Sequence, residues 1–115
     1  MYNLFYDETY SVCYIYGKTH NEIYTESSWV ELSTYDDFVN CILTKGLPYL
    51  MSIGHDVVDN AQDSSYYQEK IKSGYDCILW LDKYCKDNNL TFPKYIIHTD
   101  NKNSSIKSLL KSLNL

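Results

Sequence analysis

From Trp29 onward, short apolar runs alternate with stretches patterned for helices, and that alternation limits the fold more than any other feature of the 115 residues. Tyr35, Phe38, Val39 and Ile42 recur at the i, i+3, i+4, i+7 spacing of an amphipathic helix. Ser33 or Thr34 can cap it, Asp36 and Asp37 suit its first turn, and Gly46 can end it. Pro48 leads into a strand at 49–53. A second helix, present from about Tyr75, places Cys77, Trp80, Leu81, Tyr84 and Cys85 on one face and stops at Asn88-Asn89. Pro93 precedes a strand at 94–98. Ser104 or Ser105 caps a last helix whose face is Ile106, Leu109, Leu110 and Leu113. Strands joined by crossovers of helical length run parallel, so the pattern predicts an α/β domain with a parallel sheet covered by helices. Residues 2–6 read as the first strand, expected to pair centrally with 49–53, and Trp29–Leu32 as a further short strand. Residues 10–16 and 22–26, rich in Tyr, Val and Ile, flank Gly17-Lys18-Thr19-His20-Asn21. They predict an added N-terminal β-hairpin over 10–26 that extends one sheet edge. Residues 54–68 are polar and loop-like.

Size and charge narrow the function. A chain of this length is one domain, 1–115, with a core of its own. Its net charge is −5, and its 10 basic residues are all lysine. It lacks the basic footprint of a nucleic-acid binder. Any phosphate it holds must do without the bidentate arginine fork. No apolar run is long enough to cross a bilayer, so no membrane partner is expected. The opening Met1–Asp7 has no basic stretch and no cleavage site, and none of the four cysteines forms a C-x-x-C pair. We therefore expect a reduced, cytoplasmic protein with no signal peptide and no zinc site. Cys77 and Cys85 read as one buried helix face. The 13 tyrosines have two readings: the composition of an AT-rich genome, or aromatic faces that line a ligand pocket and stack on a base.

Two of the apolar runs end in a histidine followed closely by an acid: Ile53-Gly54-His55-Asp56 and Ile97-His98-Thr99-Asp100. Parallel strands bring their carboxyl ends to one sheet edge, where ligands bind in open α/β sheets. Asp7 and Glu8 follow the first strand to the same edge. His55 and His98 are then expected to face one crevice. One would take a proton and the other protonate the leaving oxygen of a phosphodiester, with Asp56 fixing a ring tautomer. Thr99, Asn101 and the N–H groups before the last helix, with Ser104 at its start, could hold phosphate oxygens. Lys102 is a candidate phosphate contact. The bland readings stand beside these. A histidine at a strand end is often only a half-buried, hydrogen-bonded residue, and Asp7-Glu8 is either a ligand or divalent-cation site or a solvated strand end. His20 belongs to the hairpin turn and faces solvent. The Asp59–Asp63 stretch lacks the glycine and spacing of a calcium loop. No metal set and no cofactor are expected.

These segments resemble the cyclic-phosphate processing receiver-like domains. Leu4-Phe5-Tyr6-Asp7-Glu8 followed by Trp29 is similar to that family's Leu-Phe-Leu-Asp-Asp opening and its Trp before the first helix. Ile53-Gly54-His55-Asp56-Val57 resembles Phe-Asp-His-Asp-Leu, and Gly74-Tyr75-Asp76-Cys77 resembles its Gly-Tyr-Asp-Cys helix. Phe92-Pro93 through His98-Thr99-Asp100-Asn101 resembles Pro-x-x-x-Val-His-Ser-x-Asn, and the resemblance covers nearly all the chain outside 10–26. It implies a flavodoxin-like, receiver-type fold, with functional positions at Asp7, Glu8, His55, Asp56, His98, Thr99 and Asn101. It also implies a role on cyclic-phosphate or nucleotide-derived ligands, frequently in phage genomes. The departures are Gly54 in place of an acid, Tyr10 in place of an arginine, and Asn101-Lys102-Asn103-Ser104 in place of Asn-Pro-x-Gly. They turn the expectation from cleaving a ligand towards holding it. Three readings follow. The first is a metal-independent phosphodiesterase, of which a housekeeping RNA 2′,3′-cyclic-phosphate phosphodiesterase is one form. The second is a sponge for a cyclic nucleotide or ADP-ribose-type immune signal, a viral antagonist working in the host cytoplasm. The third is a partner-binding receiver-like module with no small ligand. Homo-oligomerisation by sheet extension is a further expectation.

Overall fold

The computed structural model describes residues 2–26, 28–54, 74–98 and 105–114. The strands are β1 (Asn3–Tyr6), β2 (Trp29–Leu32), β3 (Leu50–Ile53) and β4 (Lys94–Ile97); the helices are α1 (Val12–Thr19), α2 (Tyr35–Lys45), α3 (Gly74–Asp87) and α4 (Ser105–Ser112). A 3-10 helix at Glu22–Thr25 follows α1. The strands form one sheet in the order β2-β1-β3-β4, with every pairing parallel. This is a flavodoxin-like α/β arrangement, and its order reverses between β1 and β3. The expected central pairing of the first strand with 49–53 is present, Asn3 to Tyr6 lying beside Leu50 to Ile53.

Alternation along the strands sends successive side chains to opposite faces. Leu4 and Tyr6 of β1 and Met51 and Ile53 of β3 lie in one buried cluster with Phe38 and Ile42 of α2, Ile78 and Leu81 of α3, and Ile106 and Leu110 of α4. Cys77 and Cys85 are buried there as expected. Phe5 of β1 enters a second, smaller cluster with Val12 and Ile15 of α1 and Tyr24 of the 3-10 helix, against which Trp29 packs. Helix ends follow local rules. Thr34 caps α2 by accepting from Asp37 N, and Gly46 ends α2 at φ +83°, a backbone that suits glycine. Asn89 adopts φ +56° just past α3.

The hairpin expected over 10–26 is corrected: the segment is α1 followed by the 3-10 helix. Parallel pairing of β1 with β2 requires a crossover, and α1 supplies it. Ser11 caps α1 by accepting from Tyr14 N at 3.2 Å, and the Glu31 carboxylate accepts from Val12 N at 3.0 Å. Val12 and Ile15, one helical turn apart, are buried against Phe5. Gly17, read as a turn residue, lies inside the helix, and His20 ends it at φ +56°. His20 is exposed, as expected, but as a helix cap. Among the described residues no helix is long and apolar enough to cross a membrane.

Candidate functional site

The sheet ladder continues one residue past each of three strands. Asp7 N donates to Leu32 O at 3.1 Å, Gly54 N to Tyr6 O at 3.0 Å and His98 N to Ile53 O at 3.0 Å. Asp7, Gly54 and His98 therefore form one row across the carboxyl edge, at the point where the strand order reverses. Adjacent strands are about 4.8 Å apart, so His98 and Asp7 are separated by two strand spacings with Gly54 between them. A β-carbon at Gly54 would overlap Cδ2 and Nε2 of His98. With hydrogen there instead, the imidazole crosses over Gly54 and its Nε2 lies 2.8 Å from Asp7 Oδ2.

The ring is fixed on every side. Nδ1 lies 2.6 Å from Ser52 Oγ, and Ser52 Oγ lies 2.7 Å from the Tyr24 hydroxyl. The imidazole stacks on Phe5, centroids 4.6 Å apart and planes within 6°, and meets Tyr24 edge-on. Asp7 Oδ1 accepts from Thr9 N and Tyr10 N, each at 2.8 Å. The side chains of His98 and Asp7 are both 1% exposed. The expectation that His98 faces an open crevice is thus corrected. It turns inward, onto the sheet face covered by α1 and the 3-10 helix, because Gly54 leaves the path clear and Phe5 offers a flat apolar surface.

Charge sets the direction of this chain of hydrogen bonds. Burial alone would raise the Asp7 pKa. The bonds from His98, Tyr10 N and Thr9 N outweigh it, and Asp7 is held below its ordinary value. An ionised Asp7 only accepts, so Nε2 carries the proton it donates. Nδ1 shares the next hydrogen bond with Ser52 Oγ, which shares a further one with the Tyr24 hydroxyl. Burial raises the Tyr24 pKa, only partly offset by its bond to Ser52, which keeps the phenol a donor. Every polar atom from Tyr24 to Asp7 has a partner in this scheme, as a buried network requires.

Of the candidate residues, the structure brings together Asp7 and His98. Glu8 lies beside Asp7, its Oε2 3.4 Å from the Tyr6 hydroxyl. His55, Asp56, Thr99, Asn101, Lys102 and Ser104 lie outside the described residues. Two members of the network were missed by the sequence reading. Ser52 carried a signal, a lone hydroxyl in the otherwise apolar strand Leu50-Met-Ser-Ile53. Tyr24 carried none, because its place depends on the 3-10 helix that was read as a hairpin strand.

The electrostatics of the edge are uneven. Asp7 and Glu8 follow β1, Glu31 closes on the start of α1, and Asp36 and Asp37 occupy the first turn of α2. Asp76 stands in the first turn of α3, which follows β3, and Lys107 in the first turn of α4, which follows β4. Among the described residues no group of three or more His, Cys, Asp or Glu side chains could hold a metal ion. No family model matches the chain, and no curated protein and no solved structure matches it either. The resemblance to cyclic-phosphate processing receiver-like domains rests on the segments quoted above.

Proposed function

We propose that this chain binds a cyclic-phosphate or nucleotide-derived small ligand at the carboxyl edge of its sheet, near the β1–β3 reversal, and holds it without cleaving it. The observation that carries the second half is the burial of His98: 1% of its side chain is exposed, and both ring nitrogens are engaged inside the protein. A general acid or base must come within hydrogen-bond reach of the proton it moves. Of the two histidines that a metal-independent phosphodiesterase would need, His98 has the role of an internal brace. It ties β4 to β1 and supports the loop after β1 through Asp7. The first half is supported by topology, since ligands of open parallel sheets sit at the reversal of strand order, and by the sequence resemblance. In this reading the chain acts by sequestration in the cytoplasm, with His55 and the residues after β4 supplying polar contacts.

The test is an incubation of the full chain with a panel of 3′,5′-cyclic nucleotides, 2′,3′-cyclic phosphates and cyclic ADP-ribose isomers. Free ligand is separated by ultrafiltration, the protein is heat-denatured, and both fractions are chromatographed. Sequestration predicts one ligand depleted from the filtrate and recovered chemically intact after denaturation. Recovery of an opened phosphate would support the phosphodiesterase instead, and a panel left wholly in the filtrate would support the partner-binding module.

A further inference from the structure

We infer that Tyr24 is a positioning residue for the carboxyl edge: its hydroxyl, bonded to Ser52, keeps the hydrogen of His98 on Nε2, where Asp7 and the loop after β1 are held. The contacts form one unbroken chain. The Tyr24 hydroxyl lies 2.7 Å from Ser52 Oγ, Ser52 Oγ lies 2.6 Å from His98 Nδ1, and Nε2 lies 2.8 Å from Asp7 Oδ2. Asp7 carries the chain to the edge, since its Oδ1 accepts from Thr9 N and Tyr10 N. The inner end is set by packing. Tyr24 is 5% exposed. Its ring meets Phe5 of β1 edge-on at 6.1 Å and lies 5.5 Å from Trp29 of β2. Trp29 Nε1 in turn donates to Ile23 O at 3.0 Å and clamps the 3-10 helix to the sheet.

Counting hydrogens gives the chain its direction. A phenol and a serine hydroxyl each carry a single hydrogen. If Tyr24 gives its own to Ser52, Ser52 gives its own to Nδ1, and the ring hydrogen sits on Nε2 facing Asp7. If Nδ1 carried the hydrogen instead, Ser52 would accept it and turn its own towards Tyr24. The phenol hydrogen would then point away from Ser52, its partner among the described residues. In a neutral ring, a bare Nε2 would also face the ionised carboxylate, lone pair against lone pair. Both faults are costly where water is excluded. The place of the ring hydrogen is therefore a two-state element, which Tyr24 biases from the 3-10 helix and Asp7 biases from the edge. The link is independent of any ligand.

The test is NMR on the nitrogen-15-labelled full chain at pH 7. The parent spectrum, which needs no variant, should show His98 protonated at Nε2 and bare at Nδ1; a hydrogen on Nδ1 overturns the assignment. Amide hydrogen exchange at Thr9 and Tyr10 then reads the link. The variant is Tyr24→Phe, which keeps the ring. Its control is Thr34→Ala, which removes the cap of α2 on the opposite face of the sheet at a similar expected loss of stability. Tyr24→Phe should speed exchange at Thr9 and Tyr10 by about threefold or more beyond the control. Equal exchange in the two variants overturns the link, because a merely structural loss would act on both amides alike.

Discussion

A histidine that bridges two strand spacings needs an empty position between them, and Gly54 provides it. Gly54→Ala should push the imidazole off Phe5 and break its bonds to Asp7 and Ser52, lowering stability in a urea melt by about 1–3 kcal/mol. Gly54→Asp should cost more, because it adds a second carboxylate beside Asp7. Asp7 supplies a pH signature. Its folded-state pKa lies below the ordinary value of 3.8, so its contribution is complete above that value and is lost as pH falls through the lowered one. Asp7→Asn should therefore lose roughly 1.5–3 kcal/mol at neutral pH, and the gap to the parent chain should close on acidification below about pH 4. Urea midpoints at pH 7, 5 and 3 check this; a gap that widens on acidification would contradict the sign. Tyr24→Phe removes only the outermost donor and should cost about 1 kcal/mol.

At the scale of elements, α1 separates what the residues announce from what packing decides. α2, α3 and α4 were legible because each repeats apolar residues at helical spacing over two turns or more. β3 and β4 were legible because Pro48 and Pro93 precede their apolar runs. The α1 segment Val12-Cys-Tyr-Ile-Tyr-Gly-Lys-Thr19 is built from residues that favour strands and contains a glycine, so local preference points the wrong way. It is helical because parallel β1 and β2 need a crossover, and because Ser11, Glu31 and the Phe5 surface reward a helix there. Ser11→Ala should accordingly cost about 1 kcal/mol, measured by thermal melt. The site was legible in part for the same reason. A histidine at a strand end could be picked out from sequence, as could an acid after β1. Their meeting could not, since it depends on Gly54, Phe5, Ser52 and Tyr24 from separate segments.

At the scale of the whole molecule, the sheet brings strand ends that are far apart in sequence to one edge and divides that edge in two. The β1–β2 side is acidic. The β3–β4 side is closed over its inner face by the buried His98 brace. The proposed holding of a ligand at this edge is supported by the burial of His98, whose two ring nitrogens are both engaged inside the protein. The most direct test of holding against cleaving is phosphorus NMR of adenosine 2′,3′-cyclic phosphate with the protein in molar excess. Sequestration predicts that the cyclic-phosphate resonance broadens or shifts, persists for hours, and returns to its free position when the protein is denatured. Growth of a phosphomonoester resonance at a rate proportional to protein concentration would contradict it.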